Sequence, residues 1–167
     1  MRFWVLTIGV ILGVAIQATW LAGLNLPGQV IPDLVLIMVI SYGLLRGPDE
    51  GLLFGLLSGF FLNLLSGGII GIEALSKMMA GYSAGLLEKN IFKDNLLVPV
   101  IAVFLGTVIF DSVSLLMYIA FKANYNFWGA MLTTVLPQAL YSSVLAPLIY
   151  YLMLRLERFL AERSNSF

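Results

Sequence analysis

The residues of this chain that could take part in chemistry are a few polar side chains set in otherwise apolar segments. Five of them share a depth within their segments: Gln17, Asn63, Lys77, Asp111 and Gln138. If each segment is a membrane-spanning helix, each of these side chains lies about three to five residues, or roughly 4 to 7 Å, outside the centre of its span. We therefore expect them to form one polar layer in the outer half of the membrane.

Lys77 and Asp111 are the two charged members of this layer. A charge near the centre of a bilayer costs at least about 2.5 kcal/mol, so both side chains should face the protein interior and be compensated there. Judged by depth, each is the best candidate partner of the other. Glu73 competes for Lys77, because it precedes Lys77 by one helical turn in the order that favours an ion pair.

Three roles are open for the polar layer. The favoured role is a hydrogen-bonded plug that fixes how the helices pack. The second is a small-molecule pocket that opens outward near helix breaks, for which Gly67, Gly68, Gly71 and Pro137 are candidates. A proton path through Asp111 is the least favoured, because no second carboxylate is predicted at a depth that allows a relay.

The rest of the sequence gives no sign of catalysis or cofactor binding. The chain has no Cys and no His, so it lacks the usual residues for thiol nucleophiles, zinc or haem ligation and imidazole proton transfer. No GxxxxGK(S/T), GxSxG or HExxH pattern occurs. The sequence therefore predicts a protein that is not an enzyme and that has no cofactor and no metal site.

Composition places these residues in an integral membrane protein. Of 167 residues, 60% are hydrophobic and 11% are charged, and the mean hydropathy is +0.99, far above the values of soluble domains. Nine basic and nine acidic side chains cancel, so no overall field favours nucleic acid as a partner.

The apolar segments predict an all-α bundle of six transmembrane helices in a single domain, 1–167. The predicted spans are about 3–23, 33–46, 51–66, 72–88, 95–121 and 130–154. The first is too long for the apolar region of a signal peptide and is expected to be retained. Basic residues cluster on one side of these spans: Arg2, Arg46, Lys89, Lys93, Arg155, Arg158 and Arg163. The positive-inside rule then places both termini in the cytoplasm.

Residues 155–167 continue the last helix as an amphipathic tail. Anchoring on anionic lipid headgroups is its simpler role, and receiving a cytoplasmic partner is the alternative. The second predicted span begins at Pro32 and Asp33. Proline suits the first turn of a helix, and the Asp33 side chain can cap it.

Glycines recur four residues apart in three of the predicted spans. They are Gly51, Gly55 and Gly59 in the third span, Gly9 and Gly13 in the first, and Gly81 and Gly85 in the fourth. This spacing keeps bare backbone on one helix face, which permits close helix contact in a membrane. Packing within the bundle is the favoured interpretation, and a groove for a separate protein is the alternative.

The order of these motifs resembles the central region of the rod shape-determining protein MreD family. Residues 32–92 carry the resemblance: Pro32 and Asp33, a short charged turn over 46–50, the glycine-spaced third span ending in Leu-Ser-Gly, Gly71 to Leu75, and Gly81-Tyr82 to Gly85. The family usually has an acidic residue where this chain has Asn63.

The resemblance implies a non-catalytic scaffold subunit of the bacterial cell-elongation machinery in the cytoplasmic membrane. It implies association with MreC and, indirectly, with MreB, RodA and a class B penicillin-binding transpeptidase. The implied fold is similar to the substrate-binding S components of energy-coupling factor vitamin transporters. Such an S component is the alternative function, with the outer polar layer as its vitamin site. Self-association is open.

Overall fold

A computed structural model describes residues 30–66, 71–88, 97–121 and 126–164, together with Gly13 and Ala15, with side chains as far as Phe159. Within these ranges every regular element is a helix. The helices are α1 (Leu34–Arg46), α2 (Pro48–Ser66), α3 (Ile72–Leu86), α4 (Leu97–Phe121), α5 (Phe127–Ala130) and α6 (Leu136–Ser164), and a π-helical segment, Met131–Val135, joins α5 to α6. Gly9 and Gln17 lie outside the described residues.

Helix α1 is the centre of the bundle and packs against α2, α3, α4 and α6. Its apolar side chains are buried on every face, as in Val35, Leu36, Ile37 and Leu44, which is the pattern of a helix enclosed by others. Asp33 caps its first turn, because its Oδ1 accepts a hydrogen bond from the Leu36 amide at 2.9 Å. The predicted helix cap is confirmed.

Helices α2 and α3 run antiparallel in backbone contact along a line that we call the glycine seam, formed by Gly51, Gly55, Gly59, Gly81 and Gly85. A Cβ atom added at Gly51 would meet the Gly81 carbonyl, one at Gly55 would meet the Lys77 carbonyl, and one at Gly59 would meet Ala74 Cα. Each separation would fall under 3.0 Å, which real Cβ atoms essentially never show. The seam therefore leaves no room between α2 and α3 for another protein's helix.

Two further glycines extend close packing to other helices. A Cβ atom at Gly43 of α1 would lie 2.5 Å from the Gly81 carbonyl oxygen, so α1, α2 and α3 meet near Gly43, Gly51 and Gly81. Gly85 faces Gly47 and Pro48 at the start of α2. In the first predicted span, Gly13 is helical and faces the sulfur of Met38 in α1.

Two described helices are long and apolar enough to cross a membrane, Leu97–Phe121 and Phe127–Phe159, and α1 is a shorter apolar helix. The predicted count of six spans and the side of the termini stay predictions. Large apolar side chains cover the outward faces of the bundle, including Leu53, Phe60 and Leu64 on α2, Leu105 and Ile109 on α4, and Leu140 and Val144 on α6. Such faces suit contact with lipid.

The π-helical segment has an identifiable cause in Pro137, the second residue of α6. Proline has no amide hydrogen, and its ring clashes with the carbonyl four residues earlier, here that of Thr133. The chain accommodates this by widening one turn, so that the Leu136 amide donates to the Met131 carbonyl. The break expected at Pro137 is thus a widened turn rather than an interruption of the helix.

Candidate functional site

A cavity of about 390 Å³ lies where the start of α1, the first turn of α3, the second half of α4 and the π-helical segment with α6 converge. We call it the acidic cavity, because three carboxylates line it: Asp33, Glu73 and Asp111. Its other polar lining residues include Ser114, Tyr118, Thr134 and Gln138. Its volume lies within the range typical of small-molecule sites.

Lys77 lies beside this cavity, and its ammonium is held by two of the carboxylates that line it. Its Nζ lies 2.8 Å from Asp33 Oδ2 and 2.7 Å from Glu73 Oε2, and the side chain is 1% exposed. The expected competition from Glu73 is confirmed. The predicted ion pair between Lys77 and Asp111 is wrong, because Asp33 takes that place.

Asp33 was predicted only as a helix cap, yet it joins three helices. While Oδ1 caps α1, Oδ2 binds Lys77 of α3, and the Asp33 amide donates to Ser142 Oγ of α6 at 3.2 Å. Its position at the end of a predicted span kept it out of the polar layer. The signal that could have found it is the cost of a buried cation, which calls for every carboxylate within reach of Lys77 to be considered.

Asp111 lies on the same cavity and forms no ion pair with the part of the chain that the structure describes. Its Oδ2 is buried and accepts no hydrogen bond among the described residues, and the same holds for Ser114 Oγ one turn later on α4. Asp33 and Glu73 also line the cavity. The expectation that no second carboxylate would share the depth of Asp111 is therefore corrected.

The remaining residues of the predicted polar layer divide between two places. Gln138 lines the acidic cavity together with Asp111. Asn63, at the end of the glycine seam, does not line it; its Oδ1 accepts a hydrogen bond from the Gly71 amide at 3.2 Å. That bond secures the approach to α3 where Gly71 adopts a φ of +103°, a conformation that suits glycine. A carboxylate at position 63 could accept the same bond.

The opposite end of the bundle carries a separate ionic cluster. Arg46 at the end of α1 pairs with Glu157 of α6 and approaches Glu50 of α2 at 3.9 Å. Tyr42 donates a hydrogen bond to Glu50 Oε2 at 2.8 Å. This cluster links the C-terminal part of α6 to the end of α1 and the start of α2. Its Arg46 and Glu50 side chains are more exposed than those of Lys77, Asp33 and Glu73.

The arrangement in the acidic cavity suits the binding of a polar or positively charged group. Three carboxylates face one ammonium, and that ammonium is already engaged by two of them. Among the described residues no three acidic side chains converge closely enough to hold a metal ion.

Comparison with known proteins gives a match to a protein-family model. No curated protein and no solved structure matched the chain. The family model of the rod shape-determining protein MreD matches residues 1–160 of the 167. The two long apolar helices and this match together indicate a membrane protein with a role in determining rod shape. The chain belongs to the rod shape-determining protein MreD family.

Proposed function

We propose that this protein is a non-catalytic scaffold subunit of the bacterial cell-elongation complex. In this role it spans the cytoplasmic membrane six times with both termini inside, binds MreC, and helps to organise peptidoglycan synthesis. Through MreC it is linked to MreB, RodA and a class B penicillin-binding transpeptidase. The observation that carries the proposal is the family match over residues 1–160.

The packing of the described helices supports a scaffold role in two ways. The glycine seam joins α2 and α3 through backbone contacts, so the surface that a partner can reach is the outward one. That surface carries large apolar side chains on α2, α4 and α6, including Phe60, Ile109 and Val144. Apolar outward faces can contact either lipid or a transmembrane segment of a partner.

A substrate-binding S component of an energy-coupling factor vitamin transporter is the second candidate. The acidic cavity favours it, because a pocket of about 390 Å³ lined by carboxylates, hydroxyls and an amide could hold a small polar molecule. The family match favours the scaffold.

The test is mass spectrometry of proteins captured with the tagged chain after brief crosslinking in its native membrane. An unrelated tagged membrane protein at the same expression level is the control. The proposal expects MreC and the cell-wall synthases to be enriched over this control. Enrichment of a paired ATPase module with a bound vitamin, without MreC, would instead identify a transporter subunit.

A further inference from the structure

Among the described residues, the carboxyl groups that line the acidic cavity outnumber the cations within ion-pair distance of them. Asp33 and Glu73 share the single ammonium of Lys77 at ion-pair distance. Asp111, the third carboxylate on the cavity, has no cation within that distance among the described residues. A buried carboxylate without a partner is unfavourable, so Asp111 requires either a proton or a partner from beyond the described residues.

Ser114 supplies a second and independent sign of a ligand. Its side chain lines the cavity and is 6% exposed, and its Oγ has no hydrogen-bond partner among the described residues. A buried serine in a helix commonly donates to the carbonyl four residues earlier. Ser112 on the same helix does so with Val108. For Ser114 that carbonyl belongs to Phe110, which already accepts a hydrogen bond from Ser76 Oγ at 2.7 Å.

The unpartnered groups share one face of α4. Asp111 and Ser114 are three residues apart, and Tyr118 follows at the next turn, so the three side chains lie along one stripe. Tyr118 adds an aromatic ring and a hydroxyl to the lining, and aromatic rings attract cations over their faces. The π-helical segment contributes Thr134 to the lining of the same cavity. Single widened turns of this kind occur frequently at functional sites.

We propose that the acidic cavity binds an organic cation through an ammonium or guanidinium group. The charge of this group neutralises Asp111, and its N–H groups donate to the Asp111 carboxylate and the Ser114 hydroxyl. The carboxylates do not converge as metal ligands among the described residues, which favours an organic cation over a metal ion. The group belongs either to a free small amine or guanidine or to a Lys or Arg side chain of another protein. This proposal does not depend on the scaffold function.

The first test uses the purified full-length protein in nanodiscs with n-butylammonium and n-butylguanidinium as probes. The neutral control is n-butanol, which has the same number of heavy atoms as n-butylammonium. Equilibrium dialysis with radiolabelled probe is expected to show saturable binding of both cations, with n-butanol about tenfold weaker because it lacks charge-assisted hydrogen bonds. Equal binding of the alcohol and the cations would overturn the proposal.

Two variants locate the site, and a third is a matched control. Asp111→Asn should weaken n-butylammonium binding about tenfold, and Ser114→Ala about threefold, because each removes one acceptor. Asp49→Asn makes the same chemical change at an exposed position at the start of α2 and should leave binding unchanged. Unaltered binding in Asp111→Asn, with the protein still folded, would overturn the proposal, because the cation would then not bind through Asp111.

Native mass spectrometry of the protein released from its own membranes then distinguishes the two sources. A small adduct on the wild-type protein that is lost in Asp111→Asn would identify a free organic cation. Probe binding in nanodiscs without any such adduct would assign the group to a side chain of another protein. Absence of both the adduct and probe binding would refute the proposal, while recovery of MreC would still support the scaffold function.

Discussion

The two sides of α3 show opposite solutions to packing helices in an apolar chain. On one side, the glycine seam brings α2 and α3 together until backbone meets backbone. On the other side, α3, α4 and α6 enclose the acidic cavity, where carboxylates and hydroxyls face open space. Lys77 contacts both regions. Its carbonyl faces Gly55 in the glycine seam, and its ammonium binds Asp33 and Glu73, which line the acidic cavity.

This difference separates residues that hold the fold from residues that are available for binding. A Cβ atom added at Gly51, Gly55 or Gly59 would overlap the backbone of α3, so the helices would have to shift. The cavity keeps buried polar groups that have no hydrogen-bond partner in the described ranges. Such groups cost stability, and proteins retain them mainly at functional sites. We therefore expect substitutions in the seam to act on stability and substitutions in the cavity to act on binding.

The largest effect is expected for Lys77→Met, which affects both regions at once. Removing the ammonium leaves Asp33 and Glu73 buried without a counter-ion, and breaking a buried ion pair in this way costs about 3–5 kcal/mol. The loss of stability is measured as a lower unfolding temperature, with size-exclusion chromatography reporting the fraction of folded protein after heating. Arg155→Met, which removes an exposed cation, is the control and should change stability little. Equal stability of the two variants would show that the ion pair does not hold α1 to α3.

Gly55→Ala tests the seam alone and should have the next largest effect. The added methyl group would overlap the Lys77 carbonyl, and overpacking of this kind costs about 1–3 kcal/mol. Gly129→Ala is the matched control. Its Cβ would lie 3.6 Å from Asn126 Cγ, an ordinary contact, and alanine favours a helix. Equal unfolding temperatures for Gly55→Ala and Gly129→Ala would show that close backbone contact in the glycine seam does not limit stability.

Pro137→Ala tests whether the widened turn shapes the cavity. Restoring the amide hydrogen and removing the ring should let residues 131–135 return to α-helical geometry, which moves Thr134 relative to α4. We expect n-butylammonium binding to weaken about fivefold, or about 1 kcal/mol. Pro147→Ala, in the same helix but away from the π-helical segment, should leave binding unchanged. A similar loss in both variants would argue against a role for the widened turn.

The smallest effect on stability is expected for Asp111→Asn in protein without probe. The buried Oδ2 of Asp111 has no partner among the residues described, so replacing this carboxylate by its neutral isostere should leave the free energy of unfolding unchanged or raise it by up to about 1 kcal/mol. Chemical denaturation in detergent measures this change. A clear loss of stability would mean that Asp111 supports the fold, as the seam residues do.

Local rules predicted those features that depend on neighbouring residues along the chain. A carboxylate directly before an apolar helix predicts a cap, and Asp33 forms one. Glycines four apart predict a face that allows close approach, and the structure brings those of α2 and α3 together. Gly43, where α1 joins the same contact, was missed because the glycine four residues after it, Gly47, lies between the predicted spans 33–46 and 51–66.

The ion pairing could not be predicted from depth along each span. Depth does not determine which helix faces meet, and it favoured Asp111 over Asp33, which lies at the end of its predicted span. The start of α3 at Gly71 and the central position of α1 bring Asp33 and Glu73 to the ammonium. The widened turn before Pro137 changes which side chains of residues 131–138 face α4, and that change was not anticipated.

The most direct test of this division is cell shape in a rod-shaped bacterium whose own copy of the gene has been deleted. Membrane levels of the folded protein are measured in the same cells for the wild type, Asp111→Asn and Gly55→Ala. We expect cells with Gly55→Ala to lose both folded protein and rod shape. Cells with Asp111→Asn should lose rod shape at normal levels of folded protein. Normal rods with Asp111→Asn would contradict this expectation, because the acidic cavity would then have no part in the protein's function.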